Sequence, residues 1–463
     1  MASAHGHMAD NKKQILVVFL LFIFLHIAVY SLSPANGFLE PDTTSYLAPA
    51  NALIQTGSFS SETRLPGYPF MLAGIAVVTK RFALAVVMAQ ALLLFMTALV
   101  ASRLSENILS RTGLITLVFV CFNPAASFYA QQILPDTLFA FFLILHIYFL
   151  VQASHSGSLT TAIGAGMAAG ATALIRGNGQ YVIWLMPLAL SAAYALLHER
   201  PQKPFICKLG VTPVLAALVV CSPWLIYNWQ KGEGVSFISR DYAHYSMHDN
   251  VVAAIALERN VPFTNAREAV YDMVRQKENI QKIQWESFTA AQKYRFVSSN
   301  SFYILLSSNV FDFSRAISKA IIKFFLVNDG QTWAAFWQLS ADRRSEPEIV
   351  SRYSLSAVLE GKLPVSATTY ASHAGTLGVV LLMRILGVLG AIYFARKKLW
   401  YLLAIFGAYV TLFTLSAGFI GYSRYRVPVD PLLMILAAVG SLVSLRFVVT
   451  RSGRQLSFPV SNG

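Results

Sequence analysis

The chain has 463 residues, of which 56% are hydrophobic and 13% are charged, and its formal net charge is +14. Soluble domains carry about 25% charged residues. Apolar runs of about 20 residues, the length that spans a bilayer, recur along the whole chain. These two features exclude a soluble domain with a single anchor. The positive charge does not indicate nucleic acid, because many lysines and arginines fall in short loops between apolar runs, where they set membrane topology.

Ten apolar segments predict membrane-spanning helices and therefore an all-α polytopic membrane protein. In chain order they are residues 14–32, 82–102, 112–131, 135–152, 158–175, 179–197, 208–226, 376–395, 399–418 and 428–447. The apolar segment 66–79 is shorter and is predicted to be a re-entrant or interfacial helix. Residues 302–327 are amphipathic, which is typical of a helix on the membrane surface. The sequence leaves open whether either segment crosses the membrane.

Basic residues cluster at five places and predict the orientation of the chain. The clusters are Lys12 and Lys13; Arg103 and Arg111; Arg200, Lys203 and Lys208; Arg396, Lys397 and Lys398; and Arg446, Arg451 and Arg454. By the positive-inside rule, both termini are expected in the cytoplasm of a multi-pass inner (plasma) membrane protein.

This orientation divides the chain into five expected parts. They are a cytoplasmic N-terminus at 1–13 that starts like a cloning remnant, a transmembrane catalytic module at 14–226 with its outer loop 33–81, an outer region at 227–375, C-terminal transmembrane helices at 376–447, and a cytoplasmic tail at 448–463. The outer region is the only large polar stretch.

Two aspartates follow prolines on the predicted outer side. Asp42 lies shortly after the first predicted helix, and Asp136 starts a later one. A carboxylate at the interface can accept a proton from a hydroxyl, but Asp at such positions can equally cap a helix. The pair could share the activation of an acceptor or hold a divalent metal ion. No cofactor is certain from the sequence.

Four arginines are expected at the same outer surface, although outer loops are normally poor in arginine. They are Arg64, Arg176, Arg424 and Arg426. An anionic lipid phosphate would explain them, because guanidinium groups bind phosphate and stabilise charge that develops on it. The competing interpretation is an arginine that extends towards lipid headgroups. No glycine-rich nucleotide-binding signature occurs, which favours a lipid-linked sugar donor.

Histidines and acidic residues of the outer region are interpreted more simply. His244 and His248 have the helical spacing of metal ligands, but a solvated or hydrogen-bonded role is favoured because no carboxylate motif lies beside them. Acidic residues between 241 and 286 are predicted to be surface charge. Cys121, Cys207 and Cys221 are predicted to be buried apolar residues.

The motifs together resemble the GT-C superfamily of membrane glycosyltransferases, in particular the branch of dolichyl-phosphate-mannose protein mannosyltransferases and the lipid A aminoarabinose transferase. The matching segments are Asp42-x-x-x-Tyr46, Arg64-Leu-Pro-Gly-Tyr68-Pro, Asn123-Pro with Leu134-Pro-Asp136, Pro223-Trp224 with Asn228, and Arg424-Tyr-Arg426-Val-Pro428. Two positions depart from the family pattern: Leu65 replaces a proline, and Tyr227 stands where many relatives carry arginine.

The resemblance implies a GT-C bundle and an inverting transfer of sugar from a polyprenyl-phosphate donor. It implies Asp42 and Asp136 as catalytic residues. The substrate-binding residues expected from the motifs and the outer arginines are Tyr46, Arg64, Tyr68, Arg176, Arg424 and Arg426. The acceptor is expected to be a glycolipid, a glycan or a protein. Membrane lipids are the other expected partners; no nucleic acid is expected, and the protein is expected to be a monomer.

Two other functions stay open at this point. An enzyme resembling O-antigen ligase or polymerase would use lipid diphosphate donors and would leave Asp42 dispensable. A non-enzymatic transporter would be expected to carry charges at mid-membrane and inverted repeats. The sequence shows few such charges and no repeat, so this function ranks below the enzymes.

Overall fold

The computed structural model describes residues 2–33, 39–40, 42–61, 64–198, 203–238, 240–307, 309–326, 333, 367–420 and 423–451. All regular elements in these ranges are helices. In chain order they are α1 (Ala2–Leu32), α2 (Thr43–Thr56), α3 (Gly67–Val78), α4 (Phe82–Ile108), α5 (Gly113–Cys121), α6 (Pro124–Gln131), α7 (Asp136–Ser156), α8 (Leu159–Ile175), α9 (Gly179–Leu197), α10 (Lys203–Gln230), α11 (Arg240–Arg259), α12 (Phe263–Glu278), α13 (Lys282–Ser287), α14 (Ala290–Ser299), α15 (Ser301–Leu306), α16 (Val310–Leu326), α17 (Ala367–Arg396), α18 (Trp400–Ala417), α19 (Ser423–Arg426) and α20 (Asp430–Arg451).

Eight helices of the described ranges are long and apolar enough to cross a membrane. The spanning segments are Lys12–Leu32, Phe82–Ile108, Asp136–Ser156, Gly179–Leu197, Lys208–Gln230, Ala374–Arg396, Trp400–Ala417 and Asp430–Phe447. They coincide with eight of the ten segments predicted from the sequence. The prediction of an all-α polytopic membrane protein is therefore confirmed.

Two predicted spans take a different form. Residues 112–131 form α5 and α6, which are bent by 51° at a break between them. Asn123 causes the break, because its Oδ1 caps α6 by accepting a hydrogen bond from the Ala126 amide at 3.0 Å, and Pro124 takes the first helical position. The second case is α8, which has 17 residues and is about 26 Å long at 1.5 Å per residue.

The two segments whose crossing the sequence left open are not among the candidate spans of the described ranges. Helix α3 has 12 residues, too few for a full crossing, which needs about 20. Residues 302–326 form α15 and α16, and neither is among the candidate spans of the described ranges. In α16 one face buries Ala316, Ala320 and Phe324, while the Arg315 side chain on another face is 65% exposed, as expected for an amphipathic helix.

The outer region has a small apolar core of its own. Within residues 240–306, helices α11 to α15 pack around Val251, Ile255, Val270 and Trp285. The main core runs through the membrane helices, where the central α7 buries more than half of its residues. Helix α11 meets the membrane helices just after α18, where the Phe419 amide donates a hydrogen bond to Asn250 Oδ1 at 3.3 Å.

Helices α8 and α10 approach closely because two glycines face the contact. A Cβ atom at Gly166 would lie 2.1 Å from the carbonyl oxygen of Pro213, and one at Gly170 would lie 2.8 Å from that of Ala217. Small residues four positions apart are the usual way for membrane helices to pack backbone to backbone. The outer end of α8, which carries Arg176, is positioned by this contact.

We expect Gly166→Ala to destabilise the protein by about 1–3 kcal/mol, because the new methyl group would collide with backbone of α10 rather than with a movable side chain. Thermal unfolding of the purified protein in detergent measures the effect. The matched control is Gly74→Ala in α3, where a Cβ atom would meet nothing within 4 Å. Equal midpoints for the two variants would contradict the packing argument.

Candidate active site

Asp42 stands at the N-cap position of α2, but its side chain makes no capping hydrogen bond. Its Oδ1 accepts a hydrogen bond from Arg64 Nη2 at 3.0 Å, and its Oδ2 accepts one from Arg424 Nη1 at 2.6 Å. Both carboxylate oxygens thus serve ion pairs. Of the two roles that the sequence left open for this carboxylate, the helix cap is not the one adopted.

Asp136 is the first residue of α7 and is completely buried. Its Oδ2 accepts a hydrogen bond from Arg424 Nε at 3.0 Å, and its Oδ1 accepts one from Arg176 Nη1. Arg424 therefore bridges the two aspartates. A buried carboxylate is tolerated only when it is paired and hydrogen-bonded, and the two guanidinium groups meet this requirement.

The arginines are oriented by further contacts. Arg64 donates through Nε to Ser45 Oγ at 2.8 Å and through Nη1 to Tyr46 Oη at 3.2 Å, and its guanidinium carbon lies 4.4 Å from the centre of the Tyr46 ring. The Arg176 guanidinium lies 5.4 Å from the centre of the Tyr425 ring. Such cation–π contacts hold the planar groups in fixed orientations.

This network forms one wall of a cavity of about 440 Å³, which is within the usual size range of small-molecule sites. Asp42, Tyr46, Arg64, Arg176 and Arg424 line it, while Asp136 lies behind the wall. Other walls come from the end of α10 and from α11; their lining residues include Trp224, Tyr227, Asn228, Tyr242, Tyr245 and Asp249. Side chains remote in the chain therefore meet at one cavity.

Charge and burial set the protonation state of Asp42. Burial raises the pKa of this carboxyl, but the positive charges of Arg424 and Arg64 and their hydrogen bonds outweigh burial and lower the pKa below its ordinary value. Asp42 is therefore ionised at neutral and mildly acidic pH. Burial also raises the pKa of Tyr46, although nearby arginines oppose the shift, so its hydroxyl keeps its proton.

The structure does not bring Arg426 to the cavity. This side chain is 1% exposed, donates through Nε to Asp430 Oδ1 at 3.1 Å and through Nη1 to the Phe324 carbonyl oxygen at 2.9 Å. Arg384 binds the same carboxylate at 2.9 Å. Residues two apart on a helix do not share a face, so Arg424 and Arg426 turn to different sides. Three of the four predicted arginines, Arg64, Arg176 and Arg424, therefore line the cavity, and Arg426 does not.

Tyr68 also lies outside the cavity lining. It is fully buried, donates its hydroxyl proton to Gln90 Oε1 at 2.8 Å, and packs edge-on against the Tyr46 ring at 5.4 Å. It supports the cavity residue Tyr46 from behind.

Sequence reasoning missed Asp249. Acidic residues between 241 and 286 were predicted to be surface charge, yet Asp249 lines the cavity together with Tyr242 and Tyr245. These residues are spaced by three and four positions, so they share one face of α11, and this periodicity was the available signal. Of the solvated and hydrogen-bonded roles expected for His248, the structure shows the second, because its Nδ1 bonds Asp249 Oδ1 at 2.9 Å.

The metal alternative finds little support in the donor set. In the described ranges no three or more His, Cys, Asp or Glu side chains are grouped as metal ligands, and the oxygens of Asp42 and Asp136 face guanidinium nitrogens. Cys121 and Cys221 are buried, as expected. The side chain of Cys207 lies outside the described residues.

The sequence and the fold of this chain are similar to those of known proteins. Residues 63–227 match the family model described as dolichyl-phosphate-mannose-protein mannosyltransferase. The undecaprenyl phosphate-alpha-4-amino-4-deoxy-L-arabinose arabinosyl transferase of Pseudomonas aeruginosa is 30% identical over 210 residues, or 41% of this chain and 36% of that protein. Its counterpart in Pseudomonas paraeruginosa is 28% identical over 239 residues, or 47% of this chain and 41% of that protein. The chain thus spans about two fifths of these relatives.

Among solved structures, the archaeal oligosaccharyltransferase AglB from Archaeoglobus fulgidus, in complex with an inhibitory peptide and a dolichol-phosphate, aligns over 98% of this chain and 53% of that one, with a TM-score of 0.53 and 11% identity. The chain therefore has the fold of the GT-C membrane glycosyltransferases. The resemblance to this superfamily and to its mannosyltransferase and aminoarabinose transferase branch, predicted from the sequence, is confirmed.

We expect Asp136→Asn to destabilise the protein by about 3–5 kcal/mol, because it removes the negative charge from a fully buried ion-pair network. Asp42→Asn is the natural comparison: the same chemical change is made on a side chain that is 39% exposed, where water compensates. Unfolding midpoints of both variants in one detergent test the order. A smaller shift for Asp136→Asn than for Asp42→Asn would contradict this account.

Proposed function

We propose that the chain is an inverting glycosyltransferase that moves a sugar from a polyprenyl-phosphate carrier to an acceptor hydroxyl on the non-cytoplasmic face of the membrane. The observation that carries the proposal is the Arg424 bridge between two aspartates at the cavity wall. The relatives' names, which specify an undecaprenyl-phosphate sugar, support the donor class. The acceptor would be a glycolipid, a glycan or a protein.

The proposal also includes the membrane in which the protein lies and the side on which its cavity opens. The basic clusters support an inner (plasma) membrane protein with both termini in the cytoplasm. The cavity then opens on the outer side, where a cytosolic nucleotide sugar does not reach. The proposed unit is a monomer, because one chain supplies all the charged groups of the network.

Formal charges of the network suit a sugar phosphodiester. Three arginines and two aspartates leave one positive charge in excess, and the phosphodiester of the donor carries one negative charge. When the sugar departs, the phosphate gains a second negative charge, while Asp42 loses its own by accepting the acceptor's proton. The charges of these three arginines, the two aspartates and the carrier phosphate therefore sum to zero before and after transfer, which keeps the cost of burying them low.

The residues have distinct roles in this reaction. Asp42 takes the proton of the acceptor hydroxyl, whose oxygen forms a bond to the anomeric carbon from the side opposite the phosphate. The bond between that carbon and the phosphate oxygen breaks, its electron pair stays on the phosphate, and the configuration inverts. Arg64, Arg176 and Arg424 stabilise the charge that develops there. Asp136 acts as a positioning residue, because it is fully buried behind Arg176 and Arg424.

Asp42→Asn is expected to lower sugar transfer at least a hundredfold, since an amide does not accept the proton. Membranes or reconstituted protein supplied with a radiolabelled undecaprenyl-phosphate sugar provide the assay. Asp312→Asn is the matched control, because Asp312 is an exposed aspartate of α16 that pairs only with Arg315 among the described residues. Full activity of Asp42→Asn would favour a ligase-like enzyme with lipid diphosphate donors.

Arg64→Gln is expected to move the acid limb of the pH–activity profile to higher pH. The proton acceptor must be ionised, so activity is lost as the pH falls through the pKa of Asp42. Arg64 helps to lower that pKa, and its removal therefore makes the loss begin at a higher pH. The profile of kcat/KM on the acid side measures this shift.

Lys231→Gln provides the control for this shift, because Lys231 lines the same cavity, whereas the leading charges that lower the pKa of Asp42 are those of Arg424 and Arg64. Its acid limb should stay in place. An unmoved limb in Arg64→Gln would mean that another group titrates in the reaction.

A further inference from the structure

A third carboxylate, Asp249, reaches the cavity from the outer region and has no place in the reaction described above. It projects from α11 and lines the cavity beside Tyr245. Its side chain is 22% exposed, which is between the exposure of Asp136 and that of Asp42. Helix α11 belongs to the small core of the outer region, whereas Arg64, Arg176 and Arg424, which we call the arginine wall, line the same cavity from another part of the fold.

Asp249 is held from behind by a buried histidine. His248 is 1% exposed, and its Nδ1 lies 2.9 Å from Asp249 Oδ1, while its Nε2 lies 3.2 Å from Tyr271 Oη. The arrangement is satisfied by a neutral imidazole that donates through Nδ1 to the carboxylate and accepts through Nε2 from the tyrosine. One carboxylate oxygen is thereby fixed, and this fixes the direction of the other.

The partners of Asp249 differ from those of the other two aspartates. Asp42 and Asp136 give both oxygens to guanidinium groups. In the part of the chain that the structure describes, Asp249 pairs with no arginine or lysine, and its basic neighbour is His248. A carboxylate offers about four lone-pair sites; hydrogen bonds to His248 and Tyr245 occupy two of them, which leaves Asp249 acceptor capacity for a ligand.

The negative charges of Asp249 and Asp42 both act on Tyr245. Burial raises the pKa of Tyr245, and the negative charges of Asp249 and of Asp42 raise it further. One cavity side chain is thus within electrostatic reach of both carboxylates. A sugar ring attached to a phosphate at the arginine wall would extend into the space that these residues border.

We propose that Asp249, oriented by His248 and Tyr271, accepts hydrogen bonds from the hydroxyl groups of the transferred sugar and so determines which sugars the cavity binds. This inference rests on the proposed function. Sugar hydroxyls donate hydrogen bonds, which a carboxylate accepts, whereas a phosphate offers only acceptors and repels it. The arginine wall would hold the carrier phosphate, and Asp249 would select the sugar. Sites built to hydrogen-bond a substrate hydroxyl discriminate strongly against analogues that lack it.

Binding to three carriers separates the two parts of the site. The probes are bare undecaprenyl phosphate and undecaprenyl phosphate that carries either mannose or 4-amino-4-deoxy-L-arabinose, added to the full chain in nanodiscs. We expect the wild-type chain to bind at least one sugar-loaded carrier more tightly than the bare one. Asp249→Asn should bind that sugar-loaded carrier about tenfold more weakly than the wild type does, which is the effect expected for losing a hydrogen bond to a charged group. Its affinity for the bare carrier should equal that of the wild type.

The matched control is Asp272→Asn, which makes the same change on a 53% exposed aspartate of α12 and should leave all three affinities unchanged. Tyr271→Phe removes the hydrogen bond to His248 without changing any charge, and should weaken only the sugar-loaded carrier, by less than Asp249→Asn does. This variant tests the proposal independently if Asp249→Asn fails to fold.

Two results would overturn the proposal and leave the proposed function intact. One is unchanged affinity of folded Asp249→Asn and Tyr271→Phe for the sugar-loaded carriers. The other is a wild-type chain that binds sugar-loaded and bare carriers equally. Failure of the wild type to bind any of the three carriers would instead contradict the proposed function itself.

Discussion

The site depends on one guanidinium group that joins two carboxylates from different parts of the chain. Arg424 lies 382 positions from Asp42 and 288 from Asp136, and it binds both. It is the most widely shared partner in the network, since Arg64 and Arg176 each hold one aspartate. A charge in this environment is stable only while its partners remain in place. The bundle must therefore bring the loop after α1, the start of α7 and the single turn α19 to one point.

Breaks in the helices make this meeting possible. A membrane helix satisfies its own backbone, and a polar site needs positions where helices end and side chains can turn inward. The Asn123-Pro124 corner separates α5 from α6, the extended backbone at Arg176 ends α8, and α19 is one turn long. The charged residues of the network lie next to such ends. The helix breaks that make the spanning helices hard to count therefore also help to place the charged side chains of the network.

Much of the site was predictable because its residues break a local rule. The arginines fall on the side that the sequence predicts to be outer, where the positive-inside pattern disfavours them, and Asp42 and Asp136 follow prolines at predicted helix starts. Arg426 broke the same rule, but its direction depends on a two-residue offset within one helical turn, which sequence does not resolve. The sequence did not predict that the Arg426 guanidinium would bind the Asp430 carboxylate and the carbonyl oxygens of α16. Asp249 broke no rule, because acidic residues are ordinary in a polar outer helix.

The fold, like the site, was predictable from the sequence only in part. Long apolar runs fixed eight spans, since length and hydropathy decide them directly. The bend between α5 and α6 arises from capping by Asn123, which competes with the continuity that hydropathy suggests. The position of α11 depends on its packing against α12 to α15, and packing of a polar segment leaves only a weak periodic signal in the sequence.

The double pairing of Asp42 has a consequence for the proposed reaction. While both arginines act on this carboxylate, its pKa is low, and it is a weak base towards any hydroxyl. A donor phosphate would share the charges of Arg64 and Arg424, so their hold on Asp42 would weaken and its proton affinity would rise. The base would then gain strength only when the donor is bound. Such coupling disfavours proton transfer from stray water and links acceptor activation to the presence of the sugar that is to be moved.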